Sequence, residues 1–137
     1  MVSGAWCCDT GRVSTGDATV LTRLLAAFNA HDLDEVMGFF AEDCVLETPR
    51  GEHPWGTRFE GRDAVRDGLA QRFQGLPDVH YGEDEHWVSG NHGVSRWLLT
   101  GTTTDGEAVR VRGCDLLDLD DDGLVRRKDS YWKIVTH

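Results

Sequence analysis

The chain has 137 residues, with 14 Lys plus Arg against 24 Asp plus Glu, a formal charge of -10 and a pI near 4.9. So acidic a chain repels phosphate backbones and anionic bilayers, which excludes nucleic acid and membrane surfaces as expected partners. The length suits one domain, no apolar run reaches transmembrane length, and the first nine residues lack the basic and apolar regions of a signal peptide. The expected location is therefore the cytoplasm, and the expected partner a small apolar or aromatic metabolite. Cys7 and Cys8 are adjacent, Cys44 and Cys114 fall in predicted strands, and no pair has the Cys-x-x-Cys spacing of a redox or zinc site. Buried free thiols are expected for the last two.

Residues 1–16, rich in Gly, Ser and Thr, read as a flexible leader, and 17–137 as a single domain. Val20, Leu21, Leu24, Leu25 and Phe28 recur at three- and four-residue spacing, which predicts a helix from Asp17, its cap, to about His31. The stretch 32–40 opens with an Asp-x-x-Glu capping pattern and predicts a second, short helix. Residues 44–48 read as a brief strand, and 49–60, broken by Gly51, Pro54 and Gly56, as a loop. Val65, Leu69 and Phe73 predict a third helix over 62–73. Beyond Pro77 the period changes to two, and 79–88, 93–104, 109–119 and 124–135 read as four strands joined by turns that include Asp105-Gly106 and Asp122-Gly123. Helices first and an antiparallel meander after them predict an α+β fold, with three N-terminal helices packed on a curved antiparallel sheet.

One carboxylate breaks the pattern. In the strand 109–119 alternation puts Asp115 on the face of Val109, Val111, Leu117 and Leu119, the face expected to be buried. A carboxylate among aliphatic side chains needs hydrogen-bond partners or a raised pKa, and both conditions serve proton donors and general bases.

The element order, together with Ala27-Phe28-Asn29-Ala30-His31-Asp32, Phe40-Ala41-Glu42-Asp43, Phe59-Glu60-Gly61-Arg62-Asp63-Ala64-Val65, Trp97-Leu98-Leu99-Thr100-Gly101-Thr102 and Arg112-Gly113-Cys114-Asp115, resembles the nuclear transport factor two-like superfamily. Within it, the SnoaL-like polyketide cyclases are the nearest in pattern. The resemblance implies a cone-shaped fold, catalysis without a cofactor or metal, and a homodimer built on the outer sheet face. It also implies a reaction among aldol cyclisation, isomerisation, dehydration and epoxide opening, since the fold hosts all of these as well as binding proteins without catalysis. Asp115 matches the strand position at which ketosteroid isomerases hold a protonated carboxylic acid. Asp129 resembles the last-strand aspartate of limonene epoxide hydrolases. Thr48 and Leu24 stand where the isomerases carry a general base and an oxyanion tyrosine, and the arginine-x-aspartate arrangement of the hydrolases is missing from Val94-Ser95-Arg96-Trp97.

The expected site is therefore Asp115 with Asp129 as acid and base, and Trp55, Phe59, Trp87, Trp97 and Tyr131 lining an apolar pocket. Alternation in the last strand puts Val125, Asp129 and Tyr131 on one face and Arg126, Lys128 and Trp132 on the outer one. His80 and His86 are about 20 Å apart along a regular strand, too far to share an ion. The acidic run 118–129 matches a calcium-loop pattern, but its flanks alternate as strands and Asp122-Gly123 is explained as a hairpin turn. Two functions follow: a cofactor-free acid/base enzyme acting on a small apolar carbonyl compound, or a binding module that uses the same pocket without turnover.

Overall fold

A computed structural model describes residues 18–136. The expected leader 1–16, Cys7, Cys8 and the cap Asp17 lie outside the described residues. Helix α1 (Thr19–Asn29) buries Leu21, Leu24, Leu25 and Phe28 along one stripe, as their spacing requires. Helix α2 (Leu33–Met37) is capped by the Asp32 carboxylate, which accepts from the Glu35 N–H at 3.1 Å. Strand β1 (Phe40–Glu47), strand β2 (Arg58–Glu60) and helix α3 (Arg62–Gly75) follow, and then β3 (His80–Ser89), β4 (His92–Thr102), β5 (Ala108–Leu119) and β6 (Val125–Trp132). The order across the curved, unclosed sheet is β2-β1-β6-β5-β4-β3. The last four strands form the expected antiparallel meander, and β1 joins β6 in parallel, so the sheet is mixed.

Three boundaries differ from the sequence reading, one of them the end of β6, which stops at Trp132 and not at 135. Helix α2 stops at Met37, so Phe40 opens β1 instead of closing a helix. Arg58–Glu60, expected as loop, pairs antiparallel with β1 through Leu46 and Phe59. The cause is tertiary. Phe59 packs on Gly68 of α3 so closely that a Cβ there would lie 2.8 Å from the ring, a contact that no local pattern reveals.

The inner face of the sheet and the helices enclose one core, with Trp97, Phe40, Leu21, Leu99 and Val36 among its fully buried side chains. The turns behave as read. Gly106 and Gly123 take φ of 88° and 82°, which favours glycine. In the acidic run, Asp120 accepts from the backbone N–H groups of Asp122 and Leu124, both at 2.9 Å, so its carboxylate is occupied in building the turn.

Bulges in β3 and β6 decide which side chains face inward. In β3, Gly82 pairs with Leu98 but Glu85 with Arg96, so one extra residue is accommodated near Glu83, whose φ is 49°. In β6, Val125 pairs with Leu119 and Arg127 with Asp118, leaving Arg126 as the extra residue. A bulge of this kind reverses the alternation beyond it. His86 and Val88 consequently lie on the inner face with Tyr81, while Trp87 turns outward. In β6 Lys128, Ser130 and Trp132 lie inside and Arg127, Asp129 and Tyr131 outside. This corrects the expectation from simple alternation, which put Asp129 and Tyr131 with Val125 and placed Lys128 and Trp132 on the outer face.

On the outer face Glu47 is buried beneath two arginines: Arg58 donates to it at 2.7 Å through Nε, and Arg127 at 2.6 Å through Nη1. Burial works to raise its pKa, but the hydrogen bonds and charges of Arg127 and Arg58 outweigh burial and hold the carboxyl below its ordinary value. A depressed carboxyl contributes stability above its unfolded pKa and loses that contribution as pH falls through the folded one. The melting temperature is therefore expected to fall as pH drops below about 4.5. Glu47→Gln is expected to flatten that dependence, and an acid titration followed by circular dichroism reads it.

Candidate functional site

Between α1, α3 and the inner sheet face lies a small cleft with a cavity volume of about 30 Å³, open on one side. Its walls are Phe28, Leu46, Leu69, Tyr81 and Trp97, and its rim carries Thr48, Pro49, Arg72 and Trp132. The Arg72 guanidinium lies 4.6 Å from the Trp132 ring centre, a cation–π contact that holds both at the mouth. Lys128 and Ser130 form the polar part of the floor. A second, smaller space of about 10 Å³ adjoins it at Phe28 and Lys128 and is lined by Leu24, Ser95, Asp115 and Leu117. Tyr81, edge-on to Trp97 at 5.0 Å, is fully buried, and burial pushes its phenol well above the ordinary value.

Asp115 is 3% exposed and sits where its alternation predicts. Three donors converge on it: Trp97 Nε1 at 3.1 Å on Oδ2, and Lys128 Nζ at 3.1 Å and the Ser130 hydroxyl at 2.6 Å on Oδ1. Lys128 also donates to Ser130 Oγ at 2.9 Å, and its ammonium lies 5.3 Å from the Phe28 ring centre. The cross-strand register produces this cluster, since Asp115 stands directly opposite Ser130 on β6 and Ser95 on β4. Gly113 admits Trp97: a Cβ there would lie 2.6 Å from the indole ring.

A hydrogen-bonded chain adjoins the cluster on β3 and β4. His86 Nδ1 is 2.8 Å from Ser95 Oγ, and His86 Nε2 is 2.7 Å from Asp84 Oδ2. The histidine side chain is buried, and its hydrogen bond holds Asp84 below the ordinary carboxylate pKa. Of the three histidines in this region, His80 and His92 are exposed.

Of the expected site residues, Trp97 lines the cleft and Asp115, to which it donates, lines the inner space behind it. Asp129 lies on the opposite face, where its carboxylate accepts from the Tyr131 hydroxyl at 3.0 Å. Trp87 and Tyr131 are about half exposed on that outer face. Trp55, in the loop between β1 and β2, is stacked on His53 at 4.9 Å and covered by Arg58 at 4.4 Å, away from the cleft. Phe59 is half-buried against α3. Alternation missed Lys128, Ser130 and Trp132 because the bulge reverses β6. It missed Tyr81 and Phe28 because their patterns are those of ordinary core residues. Thr48 lines the cleft, but its hydroxyl donates to the Arg50 carbonyl at 2.9 Å and so serves the loop. Leu24 lies at the inner space.

Partial burial pushes the Asp129 carboxyl above its ordinary value despite the Tyr131 hydrogen bond. A carboxyl raised by folding weakens the fold once pH has risen through its folded pKa. Asp129→Asn, which keeps an acceptor for Tyr131, is therefore expected to raise the melting temperature slightly at pH 7.

Among the described residues no group of His, Cys, Asp and Glu is arranged to hold a metal ion, and no helix is long and apolar enough to cross a membrane. No curated protein matches the chain in sequence. Solved structures do match in fold. An NTF2-like protein of unknown function from Mesorhizobium loti is 28% identical, with 85% of this chain and 90% of that one covered and a TM-score of 0.68. A protein of Xanthomonas campestris pv. campestris, provisionally described as a polyketide cyclase, is 19% identical over 84% of this chain and 88% of that one, with a TM-score of 0.74. SalBIII, an epoxide hydrolase/cyclase-like enzyme with a role in pyran ring formation in the polyether salinomycin, is 19% identical over 85% and 89%, with a TM-score of 0.71. The last two likenesses concern the fold alone. The family model for the SnoaL-like domain matches residues 21–128, from the first buried leucine of α1 to the lysine on the cavity floor. The chain belongs to the SnoaL-like domain family.

Proposed function

We propose that the cleft binds a small, largely apolar carbonyl compound and that the chain catalyses proton transfer next to the carbonyl with its own side chains, as a cyclase or isomerase without a cofactor. The observation that carries this reading is the Lys128–Ser130 pair on the floor of an aromatic-walled cleft, with Asp115 bonded to both from the adjoining inner space. The Lys128 ammonium and the Ser130 hydroxyl are donors suited to a carbonyl oxygen whose charge grows in the transition state. Asp115, bonded to both, is the group suited to accept a proton and return it. This assigns the donor role to Lys128, whereas the family resemblance implies it for Asp115. Trp97 and Tyr81 would pack against the substrate ring system, and Trp132 with Arg72 would close the mouth.

Exchange of α-hydrogens for deuterium reads this chemistry without knowledge of the product. Cyclic ketones incubated with the protein in deuterated buffer are expected to lose α-proton NMR signal faster than in buffer alone, and Asp115→Asn is expected to abolish the difference. Exchange that Asp115→Asn leaves unaltered would rule this assignment out.

The binding-module reading draws on the ion pair itself, because a carboxylate already paired with Lys128 has a structural role without any turnover. Tight binding of a ketone with no exchange in any ligand tested would favour it. For the outer sheet face we propose a second copy of this chain as partner: Trp87, Val94 and Leu116 lie in one cross-strand row there, and Trp87 and Leu116 are 49% and 43% exposed. Light scattering is expected to give a dimer, and Leu116→Lys a monomer; a monomeric native protein would contradict the proposal.

A further inference from the structure

The chain carries twelve arginines and two lysines, Lys128 and Lys133. Apart from Lys128 with Asp115, the Lys or Arg ion pairs among the described residues use arginine, both with exposed carboxylates, as Arg66 with Asp34, Arg96 with Glu85 and Arg126 with Asp43, and with buried Glu47. The cation on the cavity floor is a lysine, with a side chain 8% exposed. The two residues differ most in this setting. A guanidinium keeps its proton and offers no nucleophilic lone pair, whereas an amine that has passed a proton to a neighbour attacks a carbonyl carbon. The neighbour is present, since Asp115 Oδ1 lies 3.1 Å from Nζ. The Ser130 hydroxyl touches both groups, at 2.9 Å from the amine and 2.6 Å from the carboxylate.

We propose that Lys128 is an imine-forming amine and that the cleft takes aldehydes or unhindered ketones as covalently bound substrates. This rests on reading the cleft as the site for a carbonyl compound and adds a covalent step to it. Asp115 accepts one proton from the Lys128 ammonium. The free amine adds to the carbonyl carbon, forming the C–N bond while the carbonyl electron pair moves to oxygen, which takes up the proton that the newly bonded nitrogen releases. Asp115, with Ser130 as its contact, protonates that hydroxyl. The C–O bond breaks, water leaves, and the nitrogen lone pair completes the C=N bond of a protonated imine. The imine withdraws electrons from the adjacent carbon, so Asp115, ionised again, is placed to remove an α-proton. The enamine that results is the nucleophile for an aldol-type ring closure. Hydrolysis by water reverses the sequence and frees the product. The apolar walls formed by Phe28, Leu46, Leu69 and Trp97 favour the neutral reactants over charged ones.

Reductive trapping tests this with the full chain. The protein is incubated with benzaldehyde or cyclohexanone and sodium cyanoborohydride, which delivers hydride to the C=N carbon and fixes the adduct as a secondary amine. Intact mass and peptide mapping then locate the label, with exposed Lys133 as an internal control. The expected result is a mass increase of one carbonyl compound less its oxygen atom. It is expected at Lys128 in roughly tenfold or greater excess over Lys133, because a bound carbonyl faces the amine at high effective concentration. Lys128→Arg, which keeps the charge, is expected to lose the label while still unfolding cooperatively. Equal labelling of both lysines, or labelling of Lys133 alone, would overturn the proposal. A parallel melting curve with 2-naphthol separates the two readings. Stabilisation by 2-naphthol without label on Lys128 overturns the imine and leaves the apolar-ligand cavity standing. Label on Lys128 without stabilisation supports the imine and removes the expected substrate class. The absence of both overturns both.

Discussion

Asp115→Ala and Lys128→Ala are each expected to destabilise the protein by about 3–5 kcal/mol, because each leaves the other charge buried without its partner. For a domain of this size that corresponds to a loss of about 10 °C or more in melting temperature. The double replacement Asp115→Leu with Lys128→Met is expected to cost less than the sum of the single changes. Removing both charges also removes the desolvation of both, and aliphatic side chains of similar bulk fill the space. Recovery is not expected to be complete, since Trp97 Nε1 and the Ser130 hydroxyl lose their acceptor. An orphaned buried donor costs about 1–3 kcal/mol. Denaturant unfolding of the wild type, the two single variants and the double variant measures the coupling directly. Additive losses would show that the pair is not a unit.

Gly113→Ala is the second large effect. A Cβ at this position would lie 2.4 Å from the Tyr131 carbonyl oxygen on β6 and 2.6 Å from the Trp97 ring. The first obstacle is backbone and the second the largest fully buried side chain, so neither yields as a flexible side-chain tip would. Overpacking costs typically about 1–3 kcal/mol, and the upper end is expected here because a strand must move. Displacing Trp97 also removes its hydrogen bond to Asp115, so the variant is expected to lose α-hydrogen exchange more completely than its stability alone explains. A Gly113→Ala protein with wild-type stability would show that β6 shifts freely at this point.

The architecture was readable because it rests on long periodic segments. The stripe Leu21, Leu24, Leu25, Phe28 in α1, the Asp32 cap of α2 and the alternation through β4 and β5 each have one physical interpretation, and the structure follows it. Asp115 was legible for the same reason: β5 alternates without interruption from Val111 to Leu119, so a charged residue at an inward position stands out. The partner of Asp115 was not legible. Its identity depends on a single extra residue, Arg126, which reverses the alternation of β6 and carries Lys128 and Ser130 inward while Asp129 and Tyr131 turn outward. The bulge in β3 does the same to Trp87 and His86. The bulge in β6 has no local signature, since Arg126-Arg127 reads as ordinary strand, whereas that in β3 follows Gly82, a glycine inside a strand, with the positive φ on Glu83. Strand β2 was missed because it depends on the seat that Gly68 gives Phe59, a contact made across the fold.

If Lys128 on the cleft floor and Asp115 behind it form the reactive pair for an apolar carbonyl ligand, a melting-temperature titration with 2-naphthol, a neutral mimic of an enolised ring ketone, reads their role most directly. For the native protein the shift is expected to grow with ligand concentration, reaching about 2.7 kcal/mol of added stability at one hundred times Kd. Asp115→Asn and Lys128→Met, each compared with its own unliganded melting temperature, are expected to lose most of that shift. An equal shift in all three proteins would place the ligand away from the cluster and contradict the account, as would no shift in the native protein.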